Sequence, residues 1–180
     1  TSDFNGFGIS CASAADGSIA INTIGGTMNY SFAWTGPNGF SANSEDLNNL
    51  QAGSYDLLVT DANGCTQSVS ADLAAPAALN ATASITTAAC NGASDGAVDL
   101  SPSGGVAPYA FAWTGPGGFT SPSEDISNVG AGVYGVTTSD ANGCSSNFLF
   151  NVSEPSDLIA NATLSGYSGG TNVSCATSSD

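Results

Sequence analysis

Apolar and polar residues alternate with a period of two along much of the chain. Tyr30, Phe32 and Trp34 are interleaved with Ser31, Ala33 and Thr35, and Tyr109, Phe111 and Trp113 with Ala110, Ala112 and Thr114. Tyr55, Leu57 and Val59 alternate up to Asp61, and Val69, Ala71 and Leu73 continue beyond it. Ile19 and Ile21 correspond in the same way to Val98 and Leu100. A period of two sends every second side chain to one face, which is what a half-buried strand needs. No stretch carries a helical stripe. Gly, Asn and Ser punctuate the chain about every eight to twelve residues, a spacing that predicts a sandwich of short antiparallel strands.

Local turn chemistry agrees. Asn63-Gly64 and Asn142-Gly143 lie between alternating runs, where Asn-Gly is expected to supply the positive φ of a tight hairpin. Gly36-Pro37-Asn38-Gly39 and Gly115-Pro116-Gly117-Gly118 mark a second turn after each Trp strand. Leu50-Gln51-Ala52-Gly53-Ser54-Tyr55, and its counterpart ending at Tyr134, resemble the tyrosine corner of immunoglobulin-like sandwiches, in which the phenol ties a loop to a strand. Trp34, Trp113, Tyr55 and Tyr134 are therefore the expected core anchors. Phe40 and Phe119 either close the sandwich or stand exposed as ligand contacts, and closure is the expected role.

These features occur twice. Phe32–Phe40 (FAWTGPNGF) returns as Phe111–Phe119 (FAWTGPGGF), and Asp61-Ala62-Asn63-Gly64-Cys65 returns as Asp140-Ala141-Asn142-Gly143-Cys144, both displaced by 79. Cys175-Ala176-Thr177-Ser178-Ser179-Asp180 matches the opening at Cys11, so a third copy begins near the end. Ala75-Pro76 and Glu154-Pro155 mark the edges, which divides the chain into modules at 1–76, 77–155 and the start of a third at 156–180. The expected fold is all-β: tandem immunoglobulin-like antiparallel sandwich modules of about 79 residues, with one disulfide each.

The cysteines follow the same period. Cys11 to Cys65 spans 54 residues, and so does Cys90 to Cys144. The simplest pairing is one bridge inside each module, Cys11–Cys65 and Cys90–Cys144, with Cys175 left for a partner beyond the chain. A bridge of that span removes roughly 4 kcal/mol of unfolded-chain entropy and implies an oxidising, extracellular compartment. The first module lacks most of the strand that Leu79–Thr86 gives the second. A preceding module, or Leu158–Leu164 of a neighbouring subunit added as a strand, is expected to cover that edge.

Composition narrows the function. The chain has no Lys, Arg or His against 15 acidic residues, a formal net charge of −15. Nothing in it can neutralise phosphate, which argues against nucleic acid as a partner and against an anionic membrane surface. No apolar run approaches the roughly 20 residues needed to insert across a bilayer. A trypsin-like protease finds no Lys or Arg to cut beside.

The string Gly104-Gly105-Val106-Ala107-Pro108-Tyr109-Ala110-Phe111-Ala112-Trp113, followed by Ala131-Gly132-Val133-Tyr134 and Asp140-Ala141-Asn142-Gly143-Cys144, resembles the SprB repeat. Cys90-Asn91-Gly92-Ala93-Ser94-Asp95-Gly96 resembles the opening of that repeat, whereas Thr27-Met28-Asn29 departs from it in the first copy. The resemblance implies a secreted, cell-surface adhesin or filament of the kind found in gliding and other Bacteroidetes. The expected partners are adjacent repeats or identical subunits end to end, in a stiff spacer; the alternative is an adhesion module that binds extracellular glycans or calcium. The resemblance names no ligand.

Catalysis has little to use. Without His there is no Ser-His-Asp or Cys-His arrangement. Glu45-Asp46 and Glu124-Asp125 are neighbours on an extended segment, so their side chains point apart and form no dyad. The chain is expected not to be an enzyme. Calcium is the candidate cofactor, with Asp61, Asn63, Asp140 and Asn142 as its oxygen ligands, although the spacing lacks the density of a calcium loop. An Asx-stabilised hairpin accounts for the same residues without metal. Asn29, Asn80, Asn151, Asn161 and Asn172 open formal N-glycosylation sequons, matches that arise by chance in a chain this rich in Asn and Ser.

Overall fold

Each alternating run becomes a strand of an antiparallel sheet. The computed structural model describes residues 1–162, so Cys175 and most of the expected third copy lie outside the described residues. In the first half, β1 (Gly17–Ile19), β2 (Ser31–Thr35), β3 (Ser41–Ala42), β4 (Leu47–Leu50), β5 (Gly53–Thr60) and β6 (Thr66–Leu73) follow in order. In the second half come β7 (Asn80–Thr86), β8 (Gly96–Ser103), β9 (Ala110–Thr114), β10 (Thr120–Ser121), β11 (Ile126–Val129), β12 (Gly132–Ser139) and β13 (Ser145–Val152).

The halves repeat one topology. A four-stranded sheet in the order β3-β2-β5-β6 accompanies the pair β1-β4, and a four-stranded sheet β10-β9-β12-β13 accompanies β11-β8-β7. Alternate side chains from the two sheets of each half meet in a separate core. One contains Ile19, Trp34, Leu47, Leu50, Tyr55, Leu57 and Leu73. The other contains Val98, Leu100, Trp113, Ile126, Tyr134, Val136 and Val152. Trp34 and Trp113 are each 1% exposed, and each indole N–H donates to a backbone carbonyl, that of Ser44 or of Ser123.

Both tyrosine corners form. The Tyr55 hydroxyl donates to the Gln51 carbonyl at 2.9 Å, and that of Tyr134 to the Gly130 carbonyl at 3.0 Å. Burial raises the Tyr55 phenol pKa above its ordinary value. Phe40 and Phe119 close the sandwich, each partly buried and edge-on to the corner tyrosine, at ring-centroid distances of 5.3 and 5.4 Å.

Two local expectations are corrected. The hairpin loops run from Asp61 to Cys65 and from Asp140 to Cys144, and only their glycines take a positive φ, 83° at Gly64 and 82° at Gly143. The asparagines do not need one, because a five-residue loop spreads the reversal over more bonds than a two-residue turn. Val69 keeps its place in the alternation but is 47% exposed, whereas its larger counterpart Phe148, on an edge strand of the same kind, packs partly buried against the second core.

The two halves differ at one edge. In the second, β7 pairs with β8 from Asn80↔Ser103 to Thr86↔Ala97. In the first, the chain turns back at Phe4↔Phe7, and among the described residues the corresponding edge of β1 meets Ser2, whose N–H donates to the Ser18 carbonyl and whose hydroxyl oxygen accepts the Ser18 N–H, both at 2.9 Å.

Candidate functional site: a stapled joint between the sandwiches

The hairpin loop is built around one carboxylate. Asp61 Oδ1 accepts the N–H groups of Asn63 and Cys65, both at 2.9 Å, and Oδ2 accepts the N–H of Thr27 at 3.0 Å. Asp140 repeats this with Asn142, Cys144 and Val106, each at 2.9 Å. Three backbone donors favour the ionised form, and the Asp61 carboxyl is held below the usual value of 3.8, chiefly by Thr27 and Cys65. This loop presents its cysteine at one end of the sandwich, beyond the last pair of the hairpin ladder.

A second loop presents the other cysteine. Asp16 Oδ1 accepts the Ser10 N–H at 3.1 Å, and Asp95 Oδ1 the Ala89 N–H at 3.0 Å. The Cys11 carbonyl accepts from Ala14, and the Cys90 carbonyl from Ala93. Hydrogen bonds from Ser10 lower the Asp16 pKa, as the backbone donors do at Asp61. Both cysteine-bearing loops thus occur twice with the same Asp and backbone bonds, although Gly92 takes a φ of 73° where its counterpart Ser13 has no positive φ.

The disulfide joins Cys11 to Cys144, with Cα atoms 5.8 Å apart, while Cys65 and Cys90 are free and exposed. The expected pairs Cys11–Cys65 and Cys90–Cys144 are therefore wrong. The bridge runs between the modules. The geometry of one sandwich explains why. Ala88 donates its N–H to the Ser153 carbonyl, which puts the Cys90 loop at the Gly132↔Val152 end of the β12–β13 ladder. Cys144 follows the opposite end, Ser139↔Ser145. Seven residue steps at about 3.4 Å each separate those ends by roughly 24 Å. A disulfide requires Cα atoms within about 7 Å. Two cysteines at opposite ends of one sandwich cannot meet, but stacking two sandwiches end to end brings the loop of one onto the hairpin of the next.

The staple does not act alone. The Asn142 side-chain amide donates to the Ser10 carbonyl at 3.0 Å and to the Phe4 carbonyl at 3.4 Å, and its Oδ1 accepts from the Asn5 amide. Where the second module begins, Gly105 donates its N–H to the Ala77 carbonyl at 2.8 Å. Gly104, at φ 70°, lies so close to Ala78 that a Cβ there would stand 2.0 Å from the Ala78 carbonyl oxygen. Asp140 is 8% exposed, and Asn142 and Cys144 are half-buried, whereas Asn63 and Cys65 on the counterpart loop are exposed.

The candidate calcium ligands thus have other partners. Both oxygens of Asp61 and of Asp140 face backbone N–H groups, and the Asn142 amide spans the joint. Among the described residues no group of three or more His, Cys, Asp or Glu side chains is placed to hold a metal ion. The acidic pairs are also separately engaged: Asp46 accepts from the Ile21 N–H and Asp125 from the Leu100 N–H. Among the described residues, no helix is long and apolar enough to cross a membrane.

Sequence reasoning found the four cysteines and Asn142 but assigned them to the wrong contacts, and it missed Asn5 and Ser10. Periodicity conceals the difference. In a repeat of 79, a loop cysteine and a hairpin cysteine recur at the same spacing whether they pair within a module or across the joint.

A three-stranded sheet 5-2-1 and a four-stranded sheet 4-3-6-7, counted within the second half, together with a buried Trp on the third strand and a tyrosine corner before the sixth, define an immunoglobulin-like β-sandwich. The SprB repeat model matches residues 9–39 and 82–118, one segment in each half. Each half is thus an immunoglobulin-like sandwich that is similar, over the matched segment, to the SprB repeat. No curated protein matches it. Among solved structures it is similar to an amphioxus IgVJ-C2 molecule, at 14% identity and a TM-score of 0.41, covering 81% of this chain and 99% of that one. It is also similar to the N-terminal four Ig domains of Dscam1 isoform 6.9, at 17% identity and a TM-score of 0.35, covering 81% of this chain and 42% of that one.

Proposed function

We propose that this chain is a segment of a secreted cell-surface adhesin or extracellular filament, in which the repeats act as a stiff, non-catalytic spacer. One observation carries the reading: the disulfide that links Cys11 to Cys144 holds two sandwiches together instead of stabilising either core from within. A flexible tether would need no such bridge. Around it, the Asn142 side chain ties the hairpin of the second sandwich to the Phe4 and Ser10 carbonyls of the first. The surface supports an extracellular setting. It carries no cation, it depends on Ser, Thr, Asn and Gly for solubility, and its disulfide needs an oxidising compartment.

Small-angle X-ray scattering of the oxidised chain, and of the same chain after selective reduction, tests the spacer role. Stiffness requires a single well-defined maximum dimension when oxidised and a broadened distribution when reduced. Equal flexibility in both states would remove the basis for the proposal. Binding to extracellular polysaccharide is the adhesive alternative, and a glycan array with immobilised chain would reveal it as saturable binding.

A further inference from the structure

Cys65 and Cys90 are counterparts, by the displacement of 79, of the two cysteines that form the staple. Cys65 occupies the hairpin position held by Cys144, in a loop organised by Asp61 with the same three backbone donors. Cys90 occupies the position of Cys11, in a loop closed by Asp95 and the Ala93 N–H as that of Cys11 is closed by Asp16 and Ala14. Each is one half of a joint whose other half is present on the same molecule but at its far end. The hairpin end of the first sandwich points away from the second, and the Cys90 loop lies at the end of the second sandwich remote from the first. The two halves are complementary between copies and cannot meet within one.

We propose that Cys90 of one copy forms a disulfide with Cys65 of a second copy, so that copies join head to tail through the same staple that links the two sandwiches internally. The contact is heterologous, and its repetition builds an open filament rather than a closed ring. The surface beside Cys65 fits a partner. Ile24 and Met28, close to the Asp61 loop, are 84% and 79% exposed, and Asn63 lacks the cross-joint bonds that Asn142 makes. Repeating the internal displacement also carries residues 158–162, the counterpart of Leu79–Ala83, to the edge of β1 in the next copy, which Ser2 meets where the second half has the whole of β7. Leu158 and Ile159 there are 95% and 72% exposed.

The bond forms by oxidation of two thiols. One thiolate attacks a disulfide oxidant of the glutathione-disulfide class, expelling one thiolate of the oxidant and leaving a mixed disulfide. The second cysteine thiolate then displaces the other oxidant sulfur. Two thiols lose two protons and two electrons, and one oxidant disulfide becomes two thiols.

The proposal depends on the end-to-end reading above but can fail separately, because scattering by a single chain reports only the internal joint. The test uses the full chain carrying Cys175→Ser, with either Cys65→Ser or Cys90→Ser added, in glutathione disulfide. Each variant alone is expected to remain monomeric on non-reducing gels. Their mixture should give a covalent dimer at least tenfold above either alone. Cleavage before aspartates should yield residues 72–94 linked to residues 61–71. The chain retaining both cysteines should give a ladder of oligomers. No excess of dimer in the mixture, or Cys65–Cys65 and Cys90–Cys90 links formed as readily as the mixed one, would overturn the proposal. Intact Cys11–Cys144 linkage in both variants shows that neither substitution has disturbed the fold.

Discussion

Serine substitution at each cysteine should separate the four described positions into two classes. The Cys11–Cys144 bridge closes a sequence separation of 133 residues. Loop-closure entropy for that length amounts to about 5 kcal/mol at 25 °C, an upper figure because native disulfides commonly contribute about 2–4 kcal/mol. Cys11→Ser and Cys144→Ser should therefore each destabilise the monomeric chain by roughly 2–5 kcal/mol. The double variant should lose no more than either single one, since both remove the same bond. The coupling energy is then the whole effect. Cys65→Ser and Cys90→Ser, at exposed unpaired positions, should stay within about 0.5 kcal/mol of the parent. Urea unfolding followed by fluorescence measures this directly, with Trp34 reporting one core and Trp113 the other. Cys65→Ser as costly as Cys11→Ser, with coupling between them, would restore the pairing inside each module and refute the joint.

Other expectations follow from the same contacts. Tyr134→Phe removes the bond to the Gly130 carbonyl and should cost about 1 kcal/mol, read as a lower urea midpoint with unchanged slope. Trp113→Ala empties the centre of the second core and should cost about 3–5 kcal/mol, with the loss confined to that sandwich in hydrogen exchange. The folded-state pKa values of Asp16 and Asp61 lie below 3.8, so their contribution is complete above that pH and is lost as the pH falls through the lower folded values. Acid titration followed by circular dichroism should show a loss of stability beginning below pH 3.8, and Asp61→Asn should reduce its steepness. Asn142→Ala should leave both cores intact while speeding reduction of the Cys11–Cys144 bridge by dithiothreitol, because the Ser10 and Phe4 carbonyls lose the donor that holds the loop against the hairpin.

The sandwich was readable because its signals are local. Alternation at Tyr55, Leu57 and Val59 fixes which face is buried, and a Tyr following a Gly-containing loop fixes the corner. The joint was not readable in the same way. Whether Cys11 meets Cys65 or Cys144 depends on which ends of the sandwich the two loops occupy, and strand order in three dimensions decides that. Asn142 shows the same limit. Its sequence neighbourhood is indistinguishable from that of Asn63, yet one bridges two sandwiches and the other faces solvent. Asp61 and Asp140 suggested a cation because their surroundings are rich in oxygen, but the nearest partners supplied by the fold are backbone N–H groups.

Non-reducing peptide mapping tests the joint most directly. Trypsin has no site, but cleavage before each aspartate places Cys11, Cys65, Cys90, Cys144 and Cys175 on five different peptides. The expected product is residues 3–15 joined through sulfur to residues 140–156. Recovery instead of residues 3–15 joined to residues 61–71 would contradict the stapled joint.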